Sequence, residues 1–200
     1  TVGNDYSQGM EKYFELTGLA YQITPVASAD GQPRVNTEKM YDNMMHKFRY
    51  GNMSQKGIYI DENCMRMCRT HRMMFAQLAE ALLKEGQNDK VKEVLDYAEE
   101  MLPQCNIPYD YTSATMANYY YAVGDSATAN RMMKVVADNC AEYMSWGASL
   151  DKSDRKYVSG TLQHQAAVLG YCLQSWQQQG EMDLFEKYYQ TYMQFASLLQ

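Results

Sequence analysis

The sequence lacks an excess of positive charge and lacks any long hydrophobic run. Its 18 Lys and Arg residues are outnumbered by 24 Asp and Glu residues, so the net charge is -6. Because nucleic acids and anionic membranes attract a positive face, this balance argues against a general binder of either. No apolar run approaches the roughly 18 residues that cross a bilayer, and no basic start followed by an apolar segment indicates a signal peptide. We therefore expect a soluble chain. Since it does not begin with Met, it also fits a piece of a longer protein.

Sequence signatures of catalysis are missing as well. The chain contains no G-x-S-x-G elbow, no phosphate-binding G-x-x-x-x-G-K-[ST] or G-x-G-x-x-G loop, and no C-x-x-C pair. Histidine is scarce, and His46 and His164 lie far apart along the chain. We therefore predict no catalytic residue, no cofactor and no metal, and we interpret the chain as a non-enzymatic domain.

Proline and cysteine are sparse, and their positions are informative. None of the four prolines falls inside a helix that we predict below, and the five cysteines are odd in number and irregularly spaced. Such cysteines do not form a disulfide framework, so we interpret them as buried free thiols. With 46% hydrophobic residues the chain is long enough and apolar enough to bury a core.

Residues 1–60 read as a mixed α/β segment that packs on the rest of the chain. We predict a short helix over 4–13, extended chain over 14–26 and a loop over 27–34. Asn36 or Thr37 is then placed to cap a helix that runs through Met40, Met44 and Phe48. We predict a short strand over 57–60 that pairs with part of 16–24, because a lone strand would leave its backbone unpaired.

Residues 61–200 show long helical patterns that are interrupted by single glycines. When Gly86, Gly124 and Gly180 are aligned, apolar residues occupy the same columns four and seven residues before and five, nine and twelve after each glycine. A glycine lets one helix end in a left-handed turn before the next begins. The pattern predicts hairpins over about 61–103, 110–146 and 153–199, with helices over 61–85, 88–102, 110–123, 125–146, 153–179 and 181–199.

This column pattern resembles the tetratricopeptide repeat (TPR). The first hairpin matches best; the second lacks the closing proline, and the third has Phe185 and Tyr192 at positions that are small in TPRs. The separations between the aligned glycines, 38 and then 56 residues, also exceed the standard period of about 34. The predicted fold class is therefore mainly α, a TPR-like α-α superhelix of stacked hairpins with a short β pairing near the N-terminus.

Several blocks of the sequence together resemble the C-terminal region of the DUF2723 family. The blocks are residues 18–21 (GLAY), 40–45 (MYDNMM), 59–79 (YIDENCMRMCRTHRMMFAQLA) and 95–103 (LDYAEEMLP). These are large Bacteroidetes membrane proteins whose multi-pass portion is similar to protein O-mannosyltransferases. The resemblance implies that this chain is the periplasmic or extracytoplasmic tail of such a protein. It also implies that the membrane-embedded catalytic acids lie outside it.

Two clusters near the start of the first hairpin suggest sites. Asp61, Cys64, Cys68 and His71 share one helical stripe and are all possible metal ligands. The same stripe continues into predicted core positions, so we favour core over metal. On the other side, Arg66, Arg69 and Arg72 form a possible anion-binding site for a sugar or lipid phosphate. A solvated charged face is the favoured reading of these arginines.

The repeat offsets also predict a concave groove that binds a protein or peptide partner or a glycan. Its predicted lining residues are Met73, Glu80, Lys84, Tyr111, Asn118, Tyr121, Gln174 and Gln177. The alternative, weighed equally, is that residues 1–60 fill this groove.

The leading interpretation of function is an extracytoplasmic interaction scaffold that docks a protein or peptide partner, which includes the membrane portion of the same chain. One alternative is a substrate-binding or lid domain that assists glycosyl transfer by the full-length protein. Another is a structural oligomerisation domain.

Overall fold

The computed structural model describes residues 9–196, and in this range the protein is mainly helical with a small mixed sheet near the N-terminus. It divides into two compact units, Thr1–Pro108 (unit 1) and Tyr109–Gln200 (unit 2). The predicted domain boundary at residue 60 lies inside unit 1 and stays a prediction.

Unit 1 opens with a sheet of three short strands, β1 (Phe14–Leu16), β2 (Tyr21–Ile23) and β3 (Arg34–Val35). The order is β2-β1-β3, with β2 antiparallel and β3 parallel to β1. Gly18 turns the chain between β1 and β2 at a φ of 150°, and a Cβ added there would lie 2.8 Å from the Phe48 ring. A short β pairing near the N-terminus is thus confirmed, although its partners are not the predicted ones, and the extended chain over 14–26 is confirmed in its two strand portions. Of the predicted helix over 4–13, residues 4–8 lie outside the described residues, and Glu11–Tyr13 forms a single 3-10 turn.

The strand predicted over 57–60 is wrong. These residues have no strand structure, and Tyr59 is 91% exposed. The reason is that both edges of β1 are already taken, one by β2 and the other by β3. The backbone groups of β1 are satisfied instead by a two-residue strand that starts at the last residue of the predicted loop over 27–34.

The helix after β3 forms as predicted through Met40 and Met44 but ends at Lys47, and Phe48 is extended. Asn36 caps α1 (Thr37–Asp42) by accepting a hydrogen bond from the Lys39 amide at 3.0 Å. The helix continues as one π-helical turn over Asn43–Lys47. Met40 and Met44 are fully buried, so this helix contributes its apolar face to the core of unit 1.

Six longer helices complete the described chain, and their bounds lie within a few residues of the predicted ones. Unit 1 contains α2 (Glu62–Lys84) and α3 (Asn88–Met101). Unit 2 contains α4 (Tyr111–Ala122), α5 (Ser126–Ser149), α6 (Lys152–Gln179) and α7 (Met182–Ala196). The residues that lengthen the spacing between the second and third glycines are therefore helical for the most part, at the end of α5 and the start of α6.

The three aligned glycines end α2, α4 and α6 in the same way. Gly86, Gly124 and Gly180 have φ values of 73°, 85° and 78°, in the left-handed region that favours glycine. The amide of the residue after each glycine donates to the carbonyl five residues earlier, for example Gln87 N to Leu82 O at 3.0 Å. This is the Schellman arrangement, so the prediction that each hairpin turns on a glycine is confirmed.

The apolar columns are buried in the first two hairpins but not throughout the third. Leu95 and Met133, nine residues after their glycines, are fully buried, whereas Tyr189 in the same column of α7 is 40% exposed. As the last described helix of unit 2, α7 packs against α6 and α5. No later described helix covers its outer side. Close packing inside the unit is clear at Gly147 of α5, where an added Cβ would lie 2.3 Å from Leu162 Cδ2.

Candidate binding cleft

The eight predicted groove residues are divided between the units. Met73, Glu80 and Lys84 lie on α2 in unit 1, and the other five lie on α4 and α6 in unit 2. Each set is therefore considered within its own unit.

In unit 2, Tyr121 is a core residue and does not line an open groove. Its side chain is 8% exposed, and its hydroxyl donates to Asn130 Oδ1. Trp176 Nε1 donates to the same oxygen at 3.2 Å, and Asn130 Nδ2 donates to Glu181 Oε1 at 2.7 Å. Burial raises the pKa of Tyr121 to about 12. The TPR offset failed here because the large ring turns inward and completes a network of α4, α5, α6 and the turn residue Glu181.

Asn118 is also engaged inside unit 2. Its Nδ2 donates to the Tyr171 hydroxyl at 2.7 Å, and its Oδ1 accepts from Ser175. Tyr111 is 47% exposed and its ring centroid lies 5.1 Å from that of Tyr171. Of the predicted groove residues in this unit, the exposed ones are Tyr111, Gln174 and Gln177.

In unit 1, two of the three predicted groove residues border an open cleft. Lys84 Nζ and Glu80 Oε1 form an ion pair at 2.6 Å, one turn apart on α2. Met73, which is 36% exposed, lies earlier on α2 and outside this cleft. Whether these two residues line a binding groove stays a prediction.

The cleft has a volume of about 560 Å³ and lies between the sheet and α2. The sheet side is lined by Leu16, Tyr21, Gln32, Pro33, Arg34 and Val35. The helix side is lined by Gln77, Glu80, Ala81, Lys84 and Glu85. The N-terminal segment thus supplies one wall of the cleft. Sequence reasoning missed that wall because residues 27–34 read as a loop and a two-residue strand leaves no periodic signal.

The sheet wall is held by a buried carboxylate. Glu15 is 5% exposed and accepts from Arg34 Nε at 2.8 Å and from Asn36 Nδ2 at 2.9 Å, with Lys39 Nζ at 3.4 Å. The hydrogen bond from Asn36, together with those from the two cations, lowers the pKa of Glu15 despite its burial. Glu15 therefore holds the Arg34 side chain in place and balances its positive charge.

Glu85 lines the opposite wall, and its hydrogen-bond partners differ in charge from those of Glu15. Its carboxylate accepts from Thr37 Oγ1 at 3.0 Å and from Gln87 Nε2 at 2.5 Å, which are both neutral donors. Within the described part of the chain, no cation pairs with it. The side-chain amides of Gln32 and Gln77 also border the cleft, so neutral donors and acceptors face its interior from both walls.

The prediction that Arg66, Arg69 and Arg72 share one charged face is wrong for Arg72. Arg66 and Arg69 are exposed, but Arg72 is 1% exposed. Its guanidinium donates to the carbonyls of Leu102 at 2.9 Å, Ile107 at 2.8 Å and Pro108 at 3.0 Å. Because Leu102 is the C-cap of α3, the charge also favours the negative end of that helix. Arg72 holds backbone together and does not face solvent with the other two.

The possible metal ligands predicted on one stripe of the same helix each have a different local partner and do not converge on one point. Asp61 caps α2 by accepting from the Cys64 amide at 3.1 Å, Cys68 is buried with its Sγ 3.2 Å from Met53 Sδ, and His71 Nδ1 lies 2.7 Å from Met67 O. Among residues 9–196 no three His, Cys, Asp or Glu side chains are grouped to hold a metal ion.

All five cysteines are free thiols, but only three of them are buried. Cys68, Cys140 and Cys172 are buried, and burial raises the pKa of the last two to about 12. Cys64 and Cys105 are exposed, so the prediction of buried thiols is wrong for these two. Cys64 lies in the first turn of α2 and Cys105 in the segment after α3, where neither is covered.

Comparison with protein-family models, curated proteins and solved structures gives no match for this chain. Over residues 9–196, none of the helices combines the length and apolar character that crossing a membrane requires.

Proposed function

We propose that this chain is a TPR-like interaction domain in which the cleft of unit 1 docks an extended peptide segment of a protein partner. The observation that carries the proposal is the open cleft of about 560 Å³ between the small sheet and α2, which is bordered by polar groups from both sides. Clefts that receive peptides combine a backbone edge with pockets for side chains.

The sheet edge is oriented towards such a peptide. Asn36 N donates to Leu16 O at 3.0 Å, which fixes how β3 pairs with β1. In a parallel ladder alternate residues bond to one neighbour, so the N–H and C=O of Val35 point away from β1. Val35 lines the cleft. Its backbone therefore offers one donor and one acceptor to an added strand.

The helical part supports the TPR-like interpretation. Three helix pairs turn on left-handed glycines with the same capping bonds, and small residues such as Ala79 and Ala117 are fully buried at matching columns. Repeats of this kind present one face to partners. In this proposal the N-terminal sheet packs beside the face of the first hairpin, and the two together form the peptide cleft.

We further propose, from the sequence blocks alone, that the chain is the extracytoplasmic part of a membrane glycosyltransferase-like protein. On this proposal the partner peptide belongs to an acceptor protein or to the membrane portion itself. Sequencing the full-length gene tests it: a multi-pass apolar region upstream of Thr1 is expected, and its absence would refute the assignment.

The docking proposal is tested by filling the cleft. Random nine-residue peptides displayed on phage are selected on the purified chain, and the enriched sequences are synthesised with a fluorophore for anisotropy measurements. Ala81 is half-buried and lines the cleft, so Ala81→Trp should weaken binding by about tenfold or more. Ala167 is exposed on α6, so Ala167→Trp is the matched control and should leave the affinity unchanged.

Circular dichroism of both variants checks that they fold. Equal affinity of wild type and Ala81→Trp for the selected peptides, or failure to enrich any peptide, would overturn the proposal.

A further inference from the structure

The charges that border the cleft are not equally satisfied. Arg34 Nη2 lies 2.7 Å from Glu15 Oε2, and Lys84 is paired with Glu80. Each cation of the lining therefore already has a carboxylate partner in its own unit. Glu85 is the lining carboxylate that is bonded to neutral donors alone within the described chain.

The position of Glu85 adds to this imbalance. It is the C-cap residue of α2, and its own N–H bonds the carbonyls of Ala81 and Leu83. The C-terminal end of a helix carries a partial negative charge, so a carboxylate there increases the local negative potential and a cation is favoured. The neighbouring Lys84 is turned towards Glu80, one helical turn back, where the two form their ion pair.

The rest of the lining suits the backbone of a peptide better than a second charge. Val35 offers its backbone N–H and C=O, and the amides of Gln32 and Gln77 each provide donors and acceptors. Pro33 has no N–H, so the edge strand can pair with only a short stretch of added chain. Affinity then depends on what the side chains of the peptide meet.

Resting on the function proposed above, we propose that the cleft selects an extended segment carrying a Lys or Arg whose cationic group binds the Glu85 carboxylate. The backbone of the segment lies along Val35. Its cation forms an ion pair with the carboxylate that Thr37 and Gln87 hold in position. Both neutral hydrogen bonds orient the carboxylate before the ligand arrives, which reduces the entropy lost on binding.

The test uses three synthetic nine-residue pools, X4-Lys-X4, X4-Gln-X4 and X4-Glu-X4, in which X excludes charged residues and Cys. The wild-type chain should bind the Lys pool about fivefold more tightly than the Gln pool, since an exposed charge pair contributes roughly this much. Glu85→Gln keeps an acceptor for Thr37 and should abolish the preference. Glu85→Lys should reverse it towards the Glu pool.

Glu100 is exposed on α3 and outside the cleft. Glu100→Gln therefore removes the same charge elsewhere and should retain the fivefold preference. Raising the salt concentration should reduce the preference in the wild type and leave Glu85→Gln unaffected.

The outcomes separate the two proposals. If the pools bind in the cleft but Lys and Gln bind equally well, or if Glu85→Gln keeps the preference, the cation proposal is overturned and docking stands. If no pool binds the wild-type chain, docking itself is refuted and this inference with it.

Discussion

In unit 1 the side chains of Gln32, Gln77 and Glu85 border open space, whereas in unit 2 Asn118 and Asn130 are bonded between helices. All five side chains are polar, but the packing around them differs between the two units. Where a helix meets another helix, an amide is most stable when all its bonds are made internally. Where α2 meets the small sheet, the two surfaces leave a gap, and polar groups border it.

The two units nevertheless share one stabilising device. In unit 1 Arg72 donates to the Leu102 carbonyl at the end of α3 and to two carbonyls in the segment that follows. In unit 2 Arg155 donates to the carbonyls of Gly147, Ala148 and Leu150 at the end of α5. Both arginines donate to carbonyls at or beyond the C-terminal end of a helix, where most carbonyls have no intrahelical donor. They differ in burial, because Arg72 is enclosed and Arg155 is half-buried.

Removing Arg72 should have the largest effect. Arg72→Met leaves buried carbonyls without donors, so we expect the free energy of unfolding to fall by about 3–5 kcal/mol. Arg155→Met should cost only about 1–2 kcal/mol, since water can reach the half-buried carbonyls. Urea unfolding followed by circular dichroism measures both.

Arg69 is the control for this pair because it is exposed on the same helix as Arg72. Arg69→Met should change stability by no more than about 0.5 kcal/mol. A similar loss in Arg69→Met and Arg72→Met would contradict the buried role assigned to Arg72.

Breaking the closed network of unit 2 should have the next largest effect. Asn130→Leu leaves Tyr121, Trp176 and Glu181 without their shared partner, so we expect a loss of about 2–3 kcal/mol. The fluorescence of Trp176 should also change because its indole N–H loses an acceptor. Asn139 is exposed on α5, and Asn139→Ala should leave both stability and fluorescence unaltered.

The buried carboxylate of unit 1 should produce a smaller, pH-dependent effect. Because the folded pKa of Glu15 is lowered from 4.5, its stabilisation is fully present above that pH and is lost as the pH falls towards the folded value. Glu15→Gln should therefore cost about 1–2 kcal/mol at neutral pH. The difference between variant and wild type should shrink in acid, and a difference that is constant with pH would rule out this role.

Much of the helical architecture follows from the sequence, because single glycines and apolar columns report local geometry. Gly86, Gly124 and Gly180 mark helix ends whose capping depends on a few neighbouring residues. The cleft does not follow in this way. Its sheet wall depends on β3 pairing with β1 across 19 residues of sequence, as in Glu15 with Arg34, and a two-residue strand has no period to detect.

The candidate site shows the same division. The offsets predicted Glu80, Lys84 and Tyr121 as lining residues of one groove. In the structure Glu80 and Lys84 border the cleft, whereas Tyr121 is buried. The inward turn of this tyrosine depends on the space left by Asn130 and Trp176 on other helices. Spacing alone carries no information about that space.

Hydrogen exchange with a phage-selected peptide bound tests the central claim most directly. Docking in the cleft predicts slower amide exchange in segments 32–36 and 77–87 of unit 1, with the exchange of α4 to α7 unchanged. Protection confined to unit 2, above all around Tyr111 and Gln174, would contradict it and would place the binding face on the other hairpins.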